Sequence, residues 1–395
     1  MTAWQTAALS DVLTDAKPGF ACGEDPSDGV FQFRMNNITT EGQLDFSKKR
    51  RVPRDTRSLD RFVVEPGDVL FNATNSPELV GKSAFFPGHD EPAVFSNHFL
   101  RLRPQEDKLD GRYLARWLVL QFQRGVFRGM CRQWVNQATV NRDSLLGLRI
   151  PLPSLPEQRR IAEVLDRAEA LRAKRRAALA QLDTLTQALF LDLFGDPGTN
   201  PKGWALATIA DVAEQVTDGE HLTPKRTTEG IKLLSARNIR DGHIDFDNVD
   251  YIDSEEYERI RRRCDPSPGD VLISCSGTIG RVASVETNEP FAMVRSAALV
   301  RPRSSAVGYK FLEHYLRTPA PRAHMIRPPT ASSKANLFQS QIRELPVYLP
   351  PLSLQHEFAR LVAVVEKLKT AHHTSLGELD TLFAALQHRA FRGEL

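Results

Sequence analysis

The chain has 395 residues, 41% of them hydrophobic and 26% charged, which is ordinary for a globular protein of two or three domains. It contains no run of 18 apolar residues and does not begin like a secretory signal, so we expect a cytoplasmic protein without a membrane span. The four cysteines are scattered without a C-x-x-C pair, which argues against a zinc site or a disulfide framework. The net charge of +3 does not by itself indicate nucleic-acid binding.

The first feature along the chain is a basic stretch, "SKKRRVPRDTRSLDR", at residues 47–61. A smaller cluster, "ERIRRR", follows at 258–263. Clustered Lys and Arg residues are typical of a surface that contacts phosphates. A solvated charged face is an equally good interpretation of either cluster taken alone.

The next feature, "GDVLFNATNSPELVGKSAFF" at residues 67–86, ends like a phosphate-binding P-loop. The required first glycine is replaced by Ser76, and Pro77 removes a backbone donor. The β-type residues on either side predict a hairpin instead. Lys82 then follows the turn, where a phosphate contact and an ordinary solvated position are both compatible with the pattern.

A long helix is predicted at residues 157–194, because these 38 residues contain neither Gly nor Pro. Pro156 suits its first turn and Gly195 its end. At about 1.5 Å per residue it would be roughly 57 Å long, and a lone helix of this kind needs a packing partner. The predicted seam consists of Ile161, Val164, Ala168, Leu171, Leu182, Leu185 and Leu189.

The second half of the chain repeats the first, about 200 residues later and in the same order. "NITTEGQLDF" returns as "NIRDGHIDF", "PGDVLF" as "PGDVLI", and "LPSLPEQRRIA" as "LPPLSLQHEFA". In the second copy Gly280 and Arg281 stand where Gly81 and Lys82 stood, but the turn before them has changed. A P-loop would not tolerate that change, which again favours a hairpin.

The predicted helix also has a copy, at residues 354–391, aligned without gaps at an offset of 197. We expect the two helices to pair in antiparallel orientation, seam against seam, around a pseudo-twofold axis. The second seam would consist of Phe358, Leu361, Val365, Leu368, Leu379, Leu382 and Leu386. The fold class is therefore predicted as α+β, with two pseudo-symmetric mixed α/β domains (1–150 and 197–347) separated by two long antiparallel coiled-coil helices (151–196 and 348–395).

A search for catalytic motifs is mostly negative: the sequence has no H-E-x-x-H, G-x-S-x-G or G-x-G-x-x-G pattern. A weak match to the carboxylate and lysine pattern of a metal-dependent nuclease consists of Asp68, Glu78 and Lys82. The second copy keeps the aspartate as Asp270 but has no matching glutamate. We therefore predict no catalytic residue and no metal site.

Polar and basic loops between apolar strands are the candidate DNA contacts instead. Arg pairs with guanine, Asn or Gln with adenine, and Lys with phosphate, although turn capping is the commoner role for any single Asn or Ser. The candidates are Arg34, Asn36, Asn37, Lys48, Lys49, Arg50, Arg51, Lys82, Arg132, Gln133, Asn136, Gln137 and Asn141 in the first copy, and Lys225, Arg226, Arg237, Asn238, Ser276, Thr278, Arg281, Ser332, Ser333, Lys334 and Asn336 in the second.

These features together resemble the specificity subunit of type I restriction–modification systems over nearly the whole chain. The resemblance rests on the two modules with "PGD" before a glycine-containing turn, the blocks "RNIRDGHI" and "GTIGR", and the matching helix starts "LPSLPEQRRIAEVLD" and "LPPLSLQHEF". It implies two target-recognition domains, each reading half of a split, asymmetric sequence in double-stranded DNA, with the helices setting the gap between the halves.

The resemblance also implies the partners. Two methyltransferase subunits would bind S-adenosylmethionine, restriction subunits with a motor would use ATP and Mg²⁺, and this chain itself would bind no cofactor. A specificity module of a related type II-like or fused system is an alternative. A coiled-coil scaffold that does not bind DNA and a stand-alone nuclease are further alternatives.

Overall fold

The computed structural model describes residues 4–56, 58–134, 137–326 and 336–395, with main chain only at Gln133 and Trp134. The chain forms two compact units. Unit 1 comprises Met1–Arg176 and Thr374–Leu395, and unit 2 comprises Ala177–His373. Each unit therefore contains part of both long helices.

Unit 1 contains short strands, short helices and most of the first long helix up to Arg176. Its strands are β1 Thr6–Ala8, β2 Leu13–Pro18, β3 Val30–Phe33, β4 Arg51–Val52, β5 Val69–Asn72, β6 Thr74–Asn75, β7 Ser83–Phe85, β8 Ala93–Phe95, β9 Phe99–Pro104, β10 Arg132–Trp134, β11 Gln137–Thr139 and β12 Arg149–Pro151. Its helices are α1 Leu9–Val12, α2 Gly111–Gln123, α3 Val126–Met130, α4 Arg142–Leu146 and α5 Leu155–Phe194, and Met35–Asn37 and Leu59–Phe62 form 3₁₀ turns.

The central sheet of unit 1 has the order β2-β9-β5-β7 and is antiparallel throughout. Strand β5 is buried on both faces, and its side chains alternate between two cores. Val69 and Phe71 belong to a core that includes α2 and α5, whereas Leu70 belongs to a second core with Phe31 and Phe33 of β3. Strand β3 lies in a separate sheet of order β4-β3-β8.

The hairpin predicted at residues 67–86 is confirmed, because β5 pairs antiparallel with β7. Its copy in unit 2 is confirmed in the same way by the pairing of Val271–Ser274 with Val282–Ser284. The amide of Asn72 donates to the carbonyl of Lys82, and the amide of Ser274 donates to that of Arg281. Lys82 and Arg281 are therefore structural equivalents, as the repeat indicates.

Unit 2 repeats this plan. Its strands are β13 Ala205–Thr208, β14 Ala213–Asp218, β15 Arg226–Thr227, β16 Ile231–Leu234, β17 Ile239–Arg240, β18 His243–Ile244, β19 Asp250–Ile252, β20 Val271–Ser274, β21 Val282–Ser284, β22 Phe291–Met293, β23 Ala297–Pro302 and β24 Pro346–Leu349. Its helices are α6 Ile209–Val212, α7 Ser254–Arg261, α8 Tyr309–Arg317, α9 Pro319–Ile326, α10 Gln339–Glu344 and α11 Leu352–Ala390, and Ala236–Asn238 forms a 3₁₀ turn. The central sheet, β14-β23-β20-β21, matches that of unit 1 strand for strand.

The two long helices are confirmed as α5 and α11, and in both units they pack against each other. In unit 1 Ile161 and Leu165 of α5 share a core with Phe383 and Ala390 of α11. In unit 2 the rings of Phe190 and Phe358 lie 5.6 Å apart, centroid to centroid.

The predicted seam is partly wrong. Ile161, Phe358 and Val365 are buried, but five of the leucines assigned to the seam are exposed: Leu171 by 54%, Leu185 by 43%, Leu361 by 36%, Leu368 by 47% and Leu382 by 52%. Some of the buried positions along α5 are polar instead, including Glu169 and Thr186. Apolar spacing alone could not separate the packed stripe from a second apolar stripe on the other side of each helix.

Candidate nucleic-acid interface

The Met35–Asn37 turn of unit 1 is held by a buried asparagine. Oδ1 of Asn37 accepts from the amide of Arg34 at 2.8 Å. Its Nδ2 donates to the carbonyls of Asp45 at 2.7 Å and Lys48 at 2.9 Å. The side chain thus tethers residues 45–51 to the turn, and Arg34 and Asn36 remain exposed beside it.

Unit 2 builds the same arrangement around Asn238. Its Oδ1 accepts from the amide of Ser235 at 3.0 Å. Its Nδ2 donates to the carbonyls of Asp245 at 3.1 Å and Asn248 at 2.8 Å. We call residues 45–51 and 245–251 the tethered segments of units 1 and 2.

These contacts correct the prediction that Asn37 and Asn238 read bases. Both side chains are fully buried, and the oxygen and nitrogen of each amide already have main-chain partners. Releasing such an amide to reach DNA would leave buried backbone groups unpaired. Their recurrence in both copies has a structural cause, and the exposed neighbours Asn36 and Arg237 remain the candidates on these turns.

The basic residues of the unit 1 tethered segment fall into two groups. Lys48 and Lys49 are exposed, and within the described ranges neither ammonium group has a bonding partner. Arg50 donates to the carbonyls of Cys22 and Glu24. Arg51 forms a two-bond pair with Glu91 at 2.8 and 2.9 Å. The two lysines are available to phosphates, whereas the two arginines fasten the segment to the domain.

The prediction that Lys82 contacts DNA or solvent is also corrected. The side chain is only 7% exposed. Its Nζ donates to the carbonyls of Met35 at 2.9 Å and Ile38 at 2.5 Å, at the end of the same turn. Burial lowers the pKa of this ammonium group, although nearby Glu41 opposes the shift. Its equivalent, Arg281, is half-buried.

In unit 2 the structure brings two candidate readers together. Nε of Arg226 lies 3.0 Å from one oxygen of Asp250, and Nη2 of Arg237 lies 3.1 Å from the other. Both arginines are about half exposed, so they could exchange the carboxylate for a nucleic-acid acceptor. Lys225, which precedes Arg226 in the chain, is also exposed.

The remaining candidates are more scattered. Asn141 caps α4, its Oδ1 accepting from the amide of Asp143 at 2.8 Å, and the side chain is exposed, so its assignment as a reader stays a prediction. Ser276 is half-buried, and Arg132, Gln137, Thr278 and Asn336 are exposed. The predictions at Asn136, Ser332, Ser333 and Lys334, and at the side chain of Gln133, lie outside the described residues.

Two residues of the weak nuclease pattern, Asp68 and Lys82, are engaged by other partners. Asp68 is buried and paired through both oxygens with Arg103, at 2.7 and 2.9 Å. Asp270 is paired with Arg301 in the same way, at 2.8 and 2.7 Å. Among the described residues no cluster of His, Cys, Asp or Glu could hold a metal ion. The repeated aspartate of "PGD" therefore joins a turn to a neighbouring strand.

Sequence reasoning missed one pair of residues that connects each long helix to the start of a shorter helix, α2 in unit 1 and α8 in unit 2. Gln158 of α5 is buried, accepts from the amide of Asp110 at 2.9 Å, and donates to the carbonyls of Lys108 and Pro153. Gln355 of α11 accepts from the amide of Gly308 and donates to the carbonyl of Pro350, both at 2.8 Å. The signal was available, because both blocks "LPSLPEQ" and "LPPLSLQ" end in this glutamine.

Comparison with known proteins identifies the family. The model of the type I restriction modification DNA specificity domain matches twice, at residues 3–181 and 201–379. The chain is 24% identical to the type I restriction enzyme EcoBI specificity subunit of Escherichia coli, over 77% of this chain and 70% of that one. It is 22% identical to the EcoKI specificity subunit of Escherichia coli K12, over 92% and 82% of the two chains.

Solved structures share the fold. The type I restriction–modification S subunit from M. genitalium matches with a TM-score of 0.63 and 15% identity, covering 98% of this chain and 96% of that one. A chain from a study of complex assembly and conformational transition in the type I system matches with a TM-score of 0.58 and 20% identity, covering 100% and 99%.

The duplicated units and the two family matches define a protein with two DNA specificity domains. The chain belongs to the type I restriction–modification DNA specificity family. It is a specificity subunit whose function is recognition of a DNA target. Within the described residues no helix combines the length and the apolar character needed to cross a membrane.

Proposed function

We propose that this chain is a non-catalytic subunit that recognises a bipartite, asymmetric sequence in double-stranded DNA, one half with each unit. The observation that carries the proposal is a common framework with unequal surfaces. The buried residues Asn37 and Asn238 make equivalent bonds in the two units, while the exposed residues before them are Asn36 and Arg237. Asn suits adenine and Arg suits guanine, so one framework can present different readers.

The long helices support a second part of the proposal, the docking of two methyltransferase subunits. Leu171 and Leu368 are related by the offset of 197, and so are Leu185 and Leu382. All four are exposed, and each unit contains one leucine from each helix: Leu171 with Leu382, and Leu185 with Leu368. Exposed leucines that recur at the same offset in both units fit two copies of one partner.

The chemistry would then belong to the partners. The methyltransferase subunits would bind S-adenosylmethionine, and restriction subunits would use ATP and Mg²⁺, in the cytoplasm where the DNA is. This chain would contribute binding and geometry, which accords with the structural roles of Asp68 and Lys82. A related type II-like or fused system would use the same architecture with a different nuclease.

The decisive experiment is the methylation pattern of DNA from cells that express this chain with its methyltransferase. A two-part motif with a constant gap is expected. Deleting seven residues from both α5 and α11 should shorten the gap and leave both half-sites unchanged, because the helices would act as the spacer. An unchanged gap would refute the spacer role, and the absence of a two-part motif would refute the proposed function.

The two remaining alternatives give different results with purified material. A scaffold that does not bind DNA would show no salt-dependent binding to random duplex DNA when complexed with the methyltransferase. A stand-alone nuclease would cut DNA without any partner when supplied with a divalent metal.

A further inference from the structure

The two tethered segments have the same backbone connections and opposite charge. In both, the segment begins with Asp-Phe, and the aspartate accepts from the amide two residues later: Asp45 from Ser47 at 2.8 Å, and Asp245 from Asp247 at 3.1 Å. The asparagine bonds described above hold both segments at the same two carbonyl positions. Yet residues 45–51 carry four cations and one carboxylate, whereas residues 245–251 carry three carboxylates and no Lys or Arg.

Within the unit 1 tethered segment, the cations that can act on an external ligand are Lys48 and Lys49. Arg50 and Arg51 are committed to Cys22, Glu24 and Glu91 within the domain. The lysines project from a segment whose main chain is fixed through the carbonyl of Lys48 itself. Two exposed lysines on a fixed backbone suit a run of phosphates, which attract cations regardless of base sequence.

The equivalent positions in unit 2 are Asn248 and Val249, flanked by Asp247 and Asp250. Asp247 and Asn248 are exposed, and within the described part of the chain the Asp247 carboxylate has no bonding partner. Asp250 already binds Arg226 and Arg237. A phosphate that approached this segment would meet carboxylates, with the nearest arginines engaged by one of them.

We propose that the two units divide the binding of DNA unequally: the tethered segment of unit 1 is a phosphate anchor, and that of unit 2 repels the backbone. Unit 2 then binds its half-site through base contacts from Arg226 and Arg237. These arginines exchange Asp250 for a hydrogen-bond acceptor on a base. Of the two tethered segments, only that of unit 1 contributes to the salt dependence of DNA binding. This inference rests on the proposed function, because it requires that both units face DNA.

The test uses the complex of the full chain with its methyltransferase subunits, on duplexes that carry the methylated motif or random sequence. The observable is the slope of log K against log salt concentration. Each lost phosphate contact lowers its magnitude by about 0.9. Replacing both lysines (K48Q with K49Q) should lower it by nearly 2, so the variant should lose roughly tenfold less affinity than the parent between 50 and 200 mM salt. The ratio of the variant's affinity for the motif to its affinity for random DNA should equal that of the parent.

Two matched variants complete the design. K108Q removes an exposed lysine of unit 1 outside the segment and should leave the slope unchanged. D247K with N248K gives the unit 2 segment two exposed lysines and removes one of its three carboxylates, so it should steepen the slope and strengthen binding to random DNA. Unfolding curves that match the parent establish that all variants are folded, and the buried Asn238 bond uses only the main-chain carbonyl of Asn248.

An unchanged slope in the lysine variant, or in the unit 2 charge variant, would overturn the unequal anchoring. The proposed function would survive either result provided that the parent complex still prefers its motif. If the parent complex shows no salt-dependent binding and no motif, the proposed function itself fails.

Discussion

In unit 1, Nε of Arg172 on α5 lies 2.6 Å from Oδ1 of Asp380 on α11. In unit 2, Nζ of Lys369 on α11 lies 2.8 Å from Oδ1 of Asp183 on α5. The four residues are related by the offset of 197 that relates the two helices, so the same interhelical ion pair is formed twice. Each cation also pairs with an acid three residues before it, Glu169 or Glu366.

The two ion-pair clusters should contribute differently to stability. Glu169 is buried and Phe383 lies under the Arg172 guanidinium at 4.4 Å, whereas both acids that bind Lys369 are largely exposed. We expect Arg172→Met to lower the free energy of unfolding by ~1–3 kcal/mol, because it weakens the pairing of a buried carboxylate. Lys369→Met should cost under ~1 kcal/mol. Denaturant unfolding of both variants measures this, and equal losses would contradict the assignment.

Asn37→Ala and Asn238→Ala should each destabilise the fold by ~2–4 kcal/mol, because they leave several buried main-chain groups without partners. Asn36→Ala, at the exposed neighbour, should change the free energy of unfolding by less than ~0.5 kcal/mol. Chemical denaturation is the measurement. If Asn238→Ala were as stable as the parent and instead lost discrimination at a single base pair, the structural role given to this asparagine would be wrong.

Lys82→Gln should lower stability without changing the salt dependence of DNA binding. The Lys82 ammonium group binds the carbonyls of Met35 and Ile38, so a phosphate contact would require breaking both bonds. Binding isotherms at several salt concentrations, with thermal melts on the same samples, separate the two effects. If the slope of log K against log salt concentration fell in magnitude by about 1, Lys82 would be a phosphate contact after all.

Replacing Leu171 and Leu382 by Glu should remove one methyltransferase subunit from the complex and leave the other bound at unit 2. Placing carboxylates in an apolar interface is strongly unfavourable, whereas the same side chains are already exposed in the free chain. Native mass spectrometry gives the stoichiometry. Glu at Leu185 and Leu368 is the matched variant for unit 2, and retention of two partners in both variants would exclude this docking surface.

Unit 2 should lose stability as the pH falls from about 6.5 towards 4. Burial lowers the pKa of His314 to about 4, and its ring packs edge-on against Phe358 at 5.1 Å. The unfolded chain takes up this proton near pH 6.5 while the folded chain stays neutral, so stability falls by up to ~1.4 kcal/mol per pH unit across that window. The His314→Gln variant should flatten the profile, unlike His356→Gln at an exposed position.

Glu313 contributes to the pH dependence of stability only at the acid end of that window. Burial raises the pKa of its carboxyl, but Lys310 and other neighbours outweigh burial and hold the pKa below its usual range. Its stabilising effect is therefore present above pH 4.5 and is lost below it. Denaturation curves at pH 7, 6 and 5 isolate the histidine, and parallel profiles for His314→Gln and the parent would contradict its role.

Much of this protein follows from local pattern. Helix α5 was predictable because Pro156 and Gly195 bound a long stretch without breakers, and α11 was predictable as its gapless copy. The two hairpins and the two family domains followed from blocks repeated about 200 residues apart. The repeat shows which residues recur together, and it can be read from the sequence without a structure.

The tertiary structure decided what those recurring residues do. Asn37, Asn238 and Lys82 look like surface readers in the sequence, and only distant carbonyls that fold around them make them internal supports. Likewise, spacing could not show that Leu171 faces outward while Glu169 packs inward, because two stripes of a helix satisfy the same period. Burial depends on which other segments of the chain pack against a residue, and a local sequence pattern does not specify those segments.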